Sequence, residues 1–186
     1  MKLSQRGVKK MNREQLEHAI RAACEISGDD ELYVFGSQAI LGQFPQADDQ
    51  LRRSIEVDVS PKNKPNTVDR IDGALGENSA FHKTHGFYVH GVSIKTAPLP
   101  KGWKNRTSKV QDYMDENKIG WCLEVHDLAA SKLIAFREKD RVFVRRLLVE
   151  KLVKLDTLKD RIHLIDSEKE LKNRALGWVK SIGDEF

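Results

Sequence analysis

Cysteine is scarce in this chain. Cys24 and Cys122 are the only 2 among 186 residues, far apart and unpatterned, which fits a reducing cytosol better than a disulfide framework. Long apolar runs are missing, and no stretch approaches the roughly 18 residues of a membrane span. The first ten residues, MKLSQRGVKK, carry charge without an apolar core, so no secretory signal is expected and the expected location is cytoplasmic. There is no internal repeat and no Gly/Ser linker. Neither sign of charge dominates: 32 Lys and Arg against 28 Asp and Glu leave a formal +4. That balance permits contact with RNA, DNA or nucleotide phosphates without demanding it. With 39% hydrophobic and 32% charged residues, disordered, collagen-like and low-complexity chains are excluded.

What remains has the length of one domain with its own core. A helix is expected after Asn12, with Asn12 and Gln15 at capping-box spacing, Leu16, Ala19, Ile20, Ala23 and Ile26 in helical period, and Gly28 as its stop. Leu32–Phe35 reads as a buried strand running into Gly36-Ser37 and a short helical turn. Residues 43–53 read as an exposed polar loop, and Ser54–Val59 as an alternating strand ended by Pro61. A helical piece over Val68–Leu75, a long strand over Gly86–Thr96, and strands over Lys109–Tyr113 and Ile119–Glu124 with a turn near Asn117 follow. From Asp127, a plausible N-cap, the chain turns helical: LAASKLIAFRE, then Asp140–Leu155, then residues 157–182. A small mixed sheet followed by helices is an α+β fold. Two clusters are basic without acids. One is residues 1–10, with Lys2, Arg6, Lys9 and Lys10. The other is residues 101–109, with Lys101, Lys104, Arg106 and Lys109 around Trp103.

Three groups of residues carry chemistry. A buried strand ending in Gly36-Ser37 at a helical turn offers a small backbone and a hydroxyl to a phosphate. In Glu56-Val57-Asp58, alternation points both carboxylates to one strand face, about 6–7 Å apart, where a cation such as Mg²⁺ relieves their repulsion. In Lys132–Asp140, positions seven apart nearly coincide on a helix, so Lys132 and Lys139 share a face suited to a triphosphate, while Arg137 and Asp140 lie elsewhere and brace either one another or the neighbouring strands. Common alternatives exist for each: an ordinary turn, a solvated strand face, and surface lysines. His82-x-x-His85 lacks the cysteine or HExxH partner of a zinc site.

The order of these pieces resembles the nucleotidyltransferase superfamily. Gly36-Ser37-Gln-Ala-Ile-Leu-Gly42 looks like its Gly-Ser signature, and Glu56-x-Asp58 like its metal-binding pair. Lys132, with Arg137 and Lys139-Asp140, is similar to the late motif of the abortive-infection and toxin–antitoxin nucleotidyltransferases. The likeness extends to a bacterial group of nucleotidyltransferase-like proteins with strings such as GSQAILGQ, SxExD, GExSxFHxxxGFY, LPxGWxxR and CLExHDLAxSKLxAxREKDRxFV. Here these are Gly36–Gln43, Ser54–Asp58, Gly76–Tyr88, Leu99–Arg106 and Cys122–Val144.

The resemblance implies a basic arm at 1–11, a minimal nucleotidyltransferase palm at 12–126 and a helical extension at 127–186. It implies metal-dependent transfer of a nucleotidyl group from an NTP to an acceptor hydroxyl. Mg²⁺ or Mn²⁺ would sit on Glu56 and Asp58, and the phosphates on Gly36, Ser37, Lys132, Arg137, Lys139 and Asp140. Glu77, Ser79 and His82 are candidate acceptor contacts, and Trp103 and Arg106 candidate contacts to a nucleic-acid end. A toxin-like enzyme acting on tRNA, partnered by an antitoxin, is the leading reading. The alternatives are an antitoxin that nucleotidylates a partner toxin, and a nucleotide- or RNA-binding module without turnover. The last arises from a departure: the strand Phe87–Val92 carries no third acid. His90 stands in that region, as base, as metal ligand, or as an ordinary strand histidine.

Overall fold

The computed structural model describes residues 10–112, 114–183 and 185. Of the expected basic arm, residues 1–11, the first nine lie outside them; Lys10 pairs with Asp49 at 2.7 Å and Met11 is buried, its N–H donating to the Arg52 carbonyl. Helix α1 (Arg13–Ser27) begins with a reciprocal cap. The Asn12 side chain accepts from the Gln15 backbone N–H, and the Gln15 side chain accepts from that of Asn12. Two donors that a helix start leaves without partners are thereby satisfied. Gly28 ends α1 at φ 66°, in the left-handed region that favours glycine.

Five strands follow: β1 (Glu31–Val34), β2 (Glu56–Pro61), β3 (Tyr88–Gly91), β4 (Ser108–Asp112) and β5 (Asp115–Cys122). Helices α2 (Val68–Leu75) and α3 (Ala80–His85) lie between β2 and β3. The sheet order is β3-β2-β1-β5-β4. β1 runs antiparallel to β2 and parallel to β5, β2 runs parallel to β3, and β4 and β5 form an antiparallel hairpin. The α+β class and the small mixed sheet are as the sequence predicts. One face of the sheet buries Leu32, Val34, Val57, Val59, Val89 and Val110, with α1 and α2 packed on it. Alternation sends Glu56, Asp58 and His90 to the opposite face.

The C-terminal helices are α4 (Val125–Ala135), α5 (Glu138–Val149), α6 (Leu155–His163) and α7 (Lys169–Gly183). The other three all pack on α4. That explains why Leu128, Ala129, Ala130, Leu133 and Ile134 are buried over most of its circumference rather than along one stripe, leaving Ser131, Lys132 and Ala135 toward the cleft. Asp127, fully buried, accepts from Arg106 at 2.8 Å and pairs with Arg161 at 3.0 Å, tying the 103–106 turn to α4 and α6. No helix among the described residues is long and apolar enough to cross a membrane.

Several local expectations are corrected. The strand expected over Gly86–Thr96 is confined to β3, because the chain turns at Ile94–Thr96, where the Ser60 hydroxyl accepts from Ile94 N–H at 3.2 Å. The β4–β5 turn comes before Asn117, which lies inside β5; the Asp112 carboxylate accepts from Met114 N–H and starts the turn there. The polar loop 43–53 contains a 3-10 turn, Asp49–Arg52, with Leu51 buried. Glu124, not Asp127, caps α4. The helical run over 157–182 is divided between α6 and α7, with Lys101 N–H bonded to the Leu164 carbonyl in between.

The correction that matters most lies between α4 and α5. The helix does not run unbroken from Lys132 to Asp140: Phe136 adopts φ 57° and stops α4. Two guanidinium groups lie over its ring, Arg141 at 4.9 Å and Arg174 at 4.4 Å.

Candidate active site

The polar sheet face, the Gly36-Ser37 turn and the α4–α5 break together enclose a cleft of about 1110 Å³. Phe35, Gly36 and Ser37 line one wall, Glu56, Asp58 and His90 the floor, and Lys132, Arg137, Lys139 and Arg146 the opposite wall. Ser37 begins a 3-10 turn, Ser37–Gly42, buried at Gln38–Leu41. Gln38 anchors it by donating to the Ser54 carbonyl at 2.8 Å, and Arg13 of α1 donates to the Leu41 carbonyl at 2.9 Å. The Phe35 N–H donates to the Asp58 carbonyl at 3.2 Å, which fixes Gly36 directly beside the Asp58 side chain. A Cβ on Gly36 would lie 1.9 Å from Asp58 Oδ2, so only glycine lets the turn and the carboxylate sit this close.

The floor is set by strand register. In the parallel β2–β3 pair, Asp58 faces His90 and Glu56 faces Tyr88. His90 Nδ1 lies 2.9 Å from Asp58 Oδ1 and 3.3 Å from Glu56 Oε1. One ligand atom from each of the three residues lies within 4.8 Å of the others. Burial, and then the charge of Asp58, push the Glu56 carboxyl above its usual range, against the pull of His90 and Lys139. Tyr88, half-buried beside this pair, is pushed up to about 12 by burial and by the negative charges of Glu56, Glu77 and Asp58. Two carboxylates forced together, the Glu56 pKa raised by burial and by its neighbour, make a floor that gains from a cation.

The opposite wall is cationic. Lys132 is largely buried, its Nζ 3.2 Å from Asp140 and 4.7 Å over the Phe143 ring. Burial lowers its pKa, and Asp140 acts against that fall. Asp140 is fully buried and accepts from Arg137 Nε at 2.7 Å. Burial alone would raise the Asp140 pKa, but Arg137 and Lys132 outweigh it and hold the carboxyl below its usual range.

The expected sharing of one helix face by Lys132 and Lys139 is therefore corrected: they come from different helices, α4 and α5, and the break between these brings both to the cleft. Arg137 caps α5 rather than lying on a continuous helix. Asp140 lies beneath the cleft wall, gripping two of its cations, and does not line the cleft.

The five expected acceptor contacts stand outside the cleft lining. Ser79 caps α3 by accepting from His82 N–H at 3.1 Å. The His82 ring accepts from Asn78 N–H and lies 5.0 Å from the Tyr88 ring. Glu77 acts on the floor through its charge alone. Trp103 packs edge-on against Tyr33 at 4.7 Å, and Arg106 is committed to Asp127. The sequence reading missed Arg53 and Arg146, both of which line the cleft. Arg146 is seven residues beyond Lys139 on α5, so its helical spacing was the available signal. It pairs with Asp48 at 2.8 Å and Glu150 at 2.7 Å.

No curated protein and no solved structure matches the chain. A sequence family described as nucleotidyltransferase of unknown function (DUF6036) matches residues 14–181, which include every residue lining the cleft. The chain belongs to this nucleotidyltransferase family.

Proposed function

We propose that the chain moves a nucleotidyl group from an NTP to an acceptor hydroxyl, releasing pyrophosphate, and that a divalent metal ion is required. The observation that carries this reading is the opposition of floor and wall: two carboxylates and an imidazole within 4.8 Å of one another, facing a wall of cations across the Gly36-Ser37 turn. Glu56, Asp58 and His90 fit a divalent ion by donor type and spacing. When bound, such an ion neutralises charge building on the phosphates.

The chain's own residues supply the rest. Ser37 and the compact backbone of its turn receive phosphate oxygens. Lys132, held by Asp140, and Lys139 from the next helix compensate the triphosphate charge. Arg137, fixed by the same aspartate, frames the entrance. The acceptor hydroxyl is aligned over the floor and gives its proton to a carboxylate of the Glu56–Asp58 pair. tRNA is the first acceptor to assay, on the resemblance and the net charge of +4, with a toxin role in a two-protein system as the setting. A protein acceptor, as in an antitoxin that modifies its toxin, is the second.

One observation favours a rival. β3 offers His90 and no Asp or Glu where a third acid belongs, as in a palm that binds nucleotide without turnover. A transfer assay with the four α-labelled NTPs, a divalent ion, tRNA and cell lysate separates the two. Label on tRNA or protein, lost in Asp58→Asn, supports transfer. Metal-dependent NTP binding with no label on any acceptor supports the rival.

A further inference from the structure

We propose that His90, in the place of a third carboxylate, sets the metal preference of the cleft, so that the site takes Mn²⁺ ahead of Mg²⁺. The inference rests on the metal-dependent reading above for the presence of an ion, and concerns which ion the residues select. Adjacent ligands of a six-coordinate ion with bonds of about 2.1 Å stand about 3.0 Å apart. His90 Nδ1 meets that spacing with both carboxylates, at 2.9 Å to Asp58 Oδ1 and 3.3 Å to Glu56 Oε1. Without an ion the shorter of these distances is a hydrogen bond between the His90 ring and Asp58, and a bound ion would take the place of the proton they share.

This placement follows from the backbone. The parallel register fixes His90 opposite Asp58, and Val89 beside it is buried in the core, so a slip by one residue would drive the imidazole into apolar packing. β3 runs Tyr88-Val-His-Gly91 and holds no carboxylate to replace it.

Donor chemistry then discriminates between ions. Mg²⁺ favours oxygen donors and keeps its waters, and exchanging a carboxylate for a neutral imidazole removes both an oxygen and a charge. First-row transition ions accept imidazole nitrogen more readily than Mg²⁺ does. Zn²⁺ also holds open three-ligand sites, so the discrimination that His90 introduces is the one between Mn²⁺ and the oxygen-preferring Mg²⁺, in a floor that opens to a cleft of about 1110 Å³. Six-coordinate Mn²⁺, with open positions for water and phosphate oxygens, suits both the donors and the space.

The test uses the full chain without nucleotide. Calorimetry with MnCl₂ and MgCl₂ is expected to show Mn²⁺ binding at least about tenfold tighter in the wild type. In His90→Asp, which restores an all-carboxylate floor, that preference should collapse to within about threefold, mainly because Mg²⁺ binds more tightly. Electron spin-echo spectra of the wild-type Mn²⁺ complex should carry the ¹⁴N coupling of a directly bonded imidazole, and those of His90→Asp should not. The spin-echo measurement on the wild type stands even if the variant fails to fold. Mn²⁺ and Mg²⁺ affinities within threefold of each other in the wild type, or the absence of ¹⁴N coupling, would overturn the inference and leave the nucleotidyltransfer reading intact. Failure of both ions to bind at millimolar concentration would overturn the metal reading as well.

Discussion

Replacing Gly36 by alanine adds one methyl group to a gap that the Asp58 carboxylate already fills. The added Cβ would lie 1.9 Å from Asp58 Oδ2, 2.8 Å from its Cγ and 3.1 Å from its Cβ. A carbon–oxygen contact tolerates about 3.3 Å, so the carboxylate must swing away by roughly 1.4 Å. Pushing its side chain off a rotamer costs about 0.5–1.5 kcal/mol. The backbone itself suits alanine, since Gly36 has φ −79° and ψ −167°, in the extended region. Alanine also reduces the freedom of the unfolded chain, which returns about 0.4–1 kcal/mol. The two effects nearly cancel, so the melting temperature should move by no more than about 4 °C. The site fares much worse. A displacement beyond 1 Å withdraws the Asp58 oxygen from a bound ion and its nucleotide, and losing a contact of this charged kind costs about 1.5–3 kcal/mol of affinity. Calorimetry with a metal ion and a non-hydrolysable NTP, run beside a thermal melt, measures both sides. Wild-type affinity in Gly36→Ala would refute the reasoning. So would a fall of more than 10 °C in the melt, which would mean that the methyl group breaks the β1–β2 junction rather than the floor.

Lys132→Met keeps the packing over Phe143 and removes the cation; NTP affinity should fall by about 1.5–3 kcal/mol in a binding titration, and an unchanged affinity would place the triphosphate elsewhere. Glu56→Gln removes a carboxylate whose pKa is raised in the folded protein, chiefly by burial and then by Asp58. Such a carboxylate disfavours the fold once ionised, so in metal-free melts the variant should be the more stable protein at pH 7, with the gain disappearing below the pKa of an unfolded glutamate, about 4.3. Asp29, nearly buried, works in the opposite direction. Burial raises its pKa, but bonds from Asn63, Glu31 and Lys64 more than offset this and hold it low. Asp29→Ala should therefore cost about 2–3 kcal/mol in denaturant titrations at neutral pH. That cost should shrink as the pH falls from the unfolded aspartate value, about 3.9, through the lower folded value.

The parts of the fold that were legible in the sequence depend on neighbours close in the chain. Asn12, Gln15 and Gly28 bound α1 through contacts within a single helical turn, and the Val68–Leu75 helix is found at both of its expected ends. Alternation alone put Glu56 and Asp58 on one face, because that period is a property of any strand. The remaining features depend on distant residues. Phe136 stops a helix that local propensity would continue, and one of the two guanidinium groups around its ring comes from Arg174 on α7. Arg106 belongs to a cluster that reads as free positive charge, yet its partner is a buried aspartate on α4, at the far end of a strand hairpin. The meeting of His90 with Asp58 depends on which strands pair and in which register, and 32 residues separate the two.

The placement of β1 at the centre of the sheet bears on how the chain is made. Its β2 edge is covered by the next strand, but its other edge pairs with β5, and Glu31 meets Trp121 at a separation of 90 positions along the chain. At about 5–20 residues per second, a ribosome needs roughly 5–20 s to supply that partner. Until then the apolar Leu32 and Val34 stand on a strand with an open hydrogen-bonding edge, a template for pairing with another nascent chain. Chaperone engagement should be greatest between the emergence of β1 from the exit tunnel and the emergence of β5.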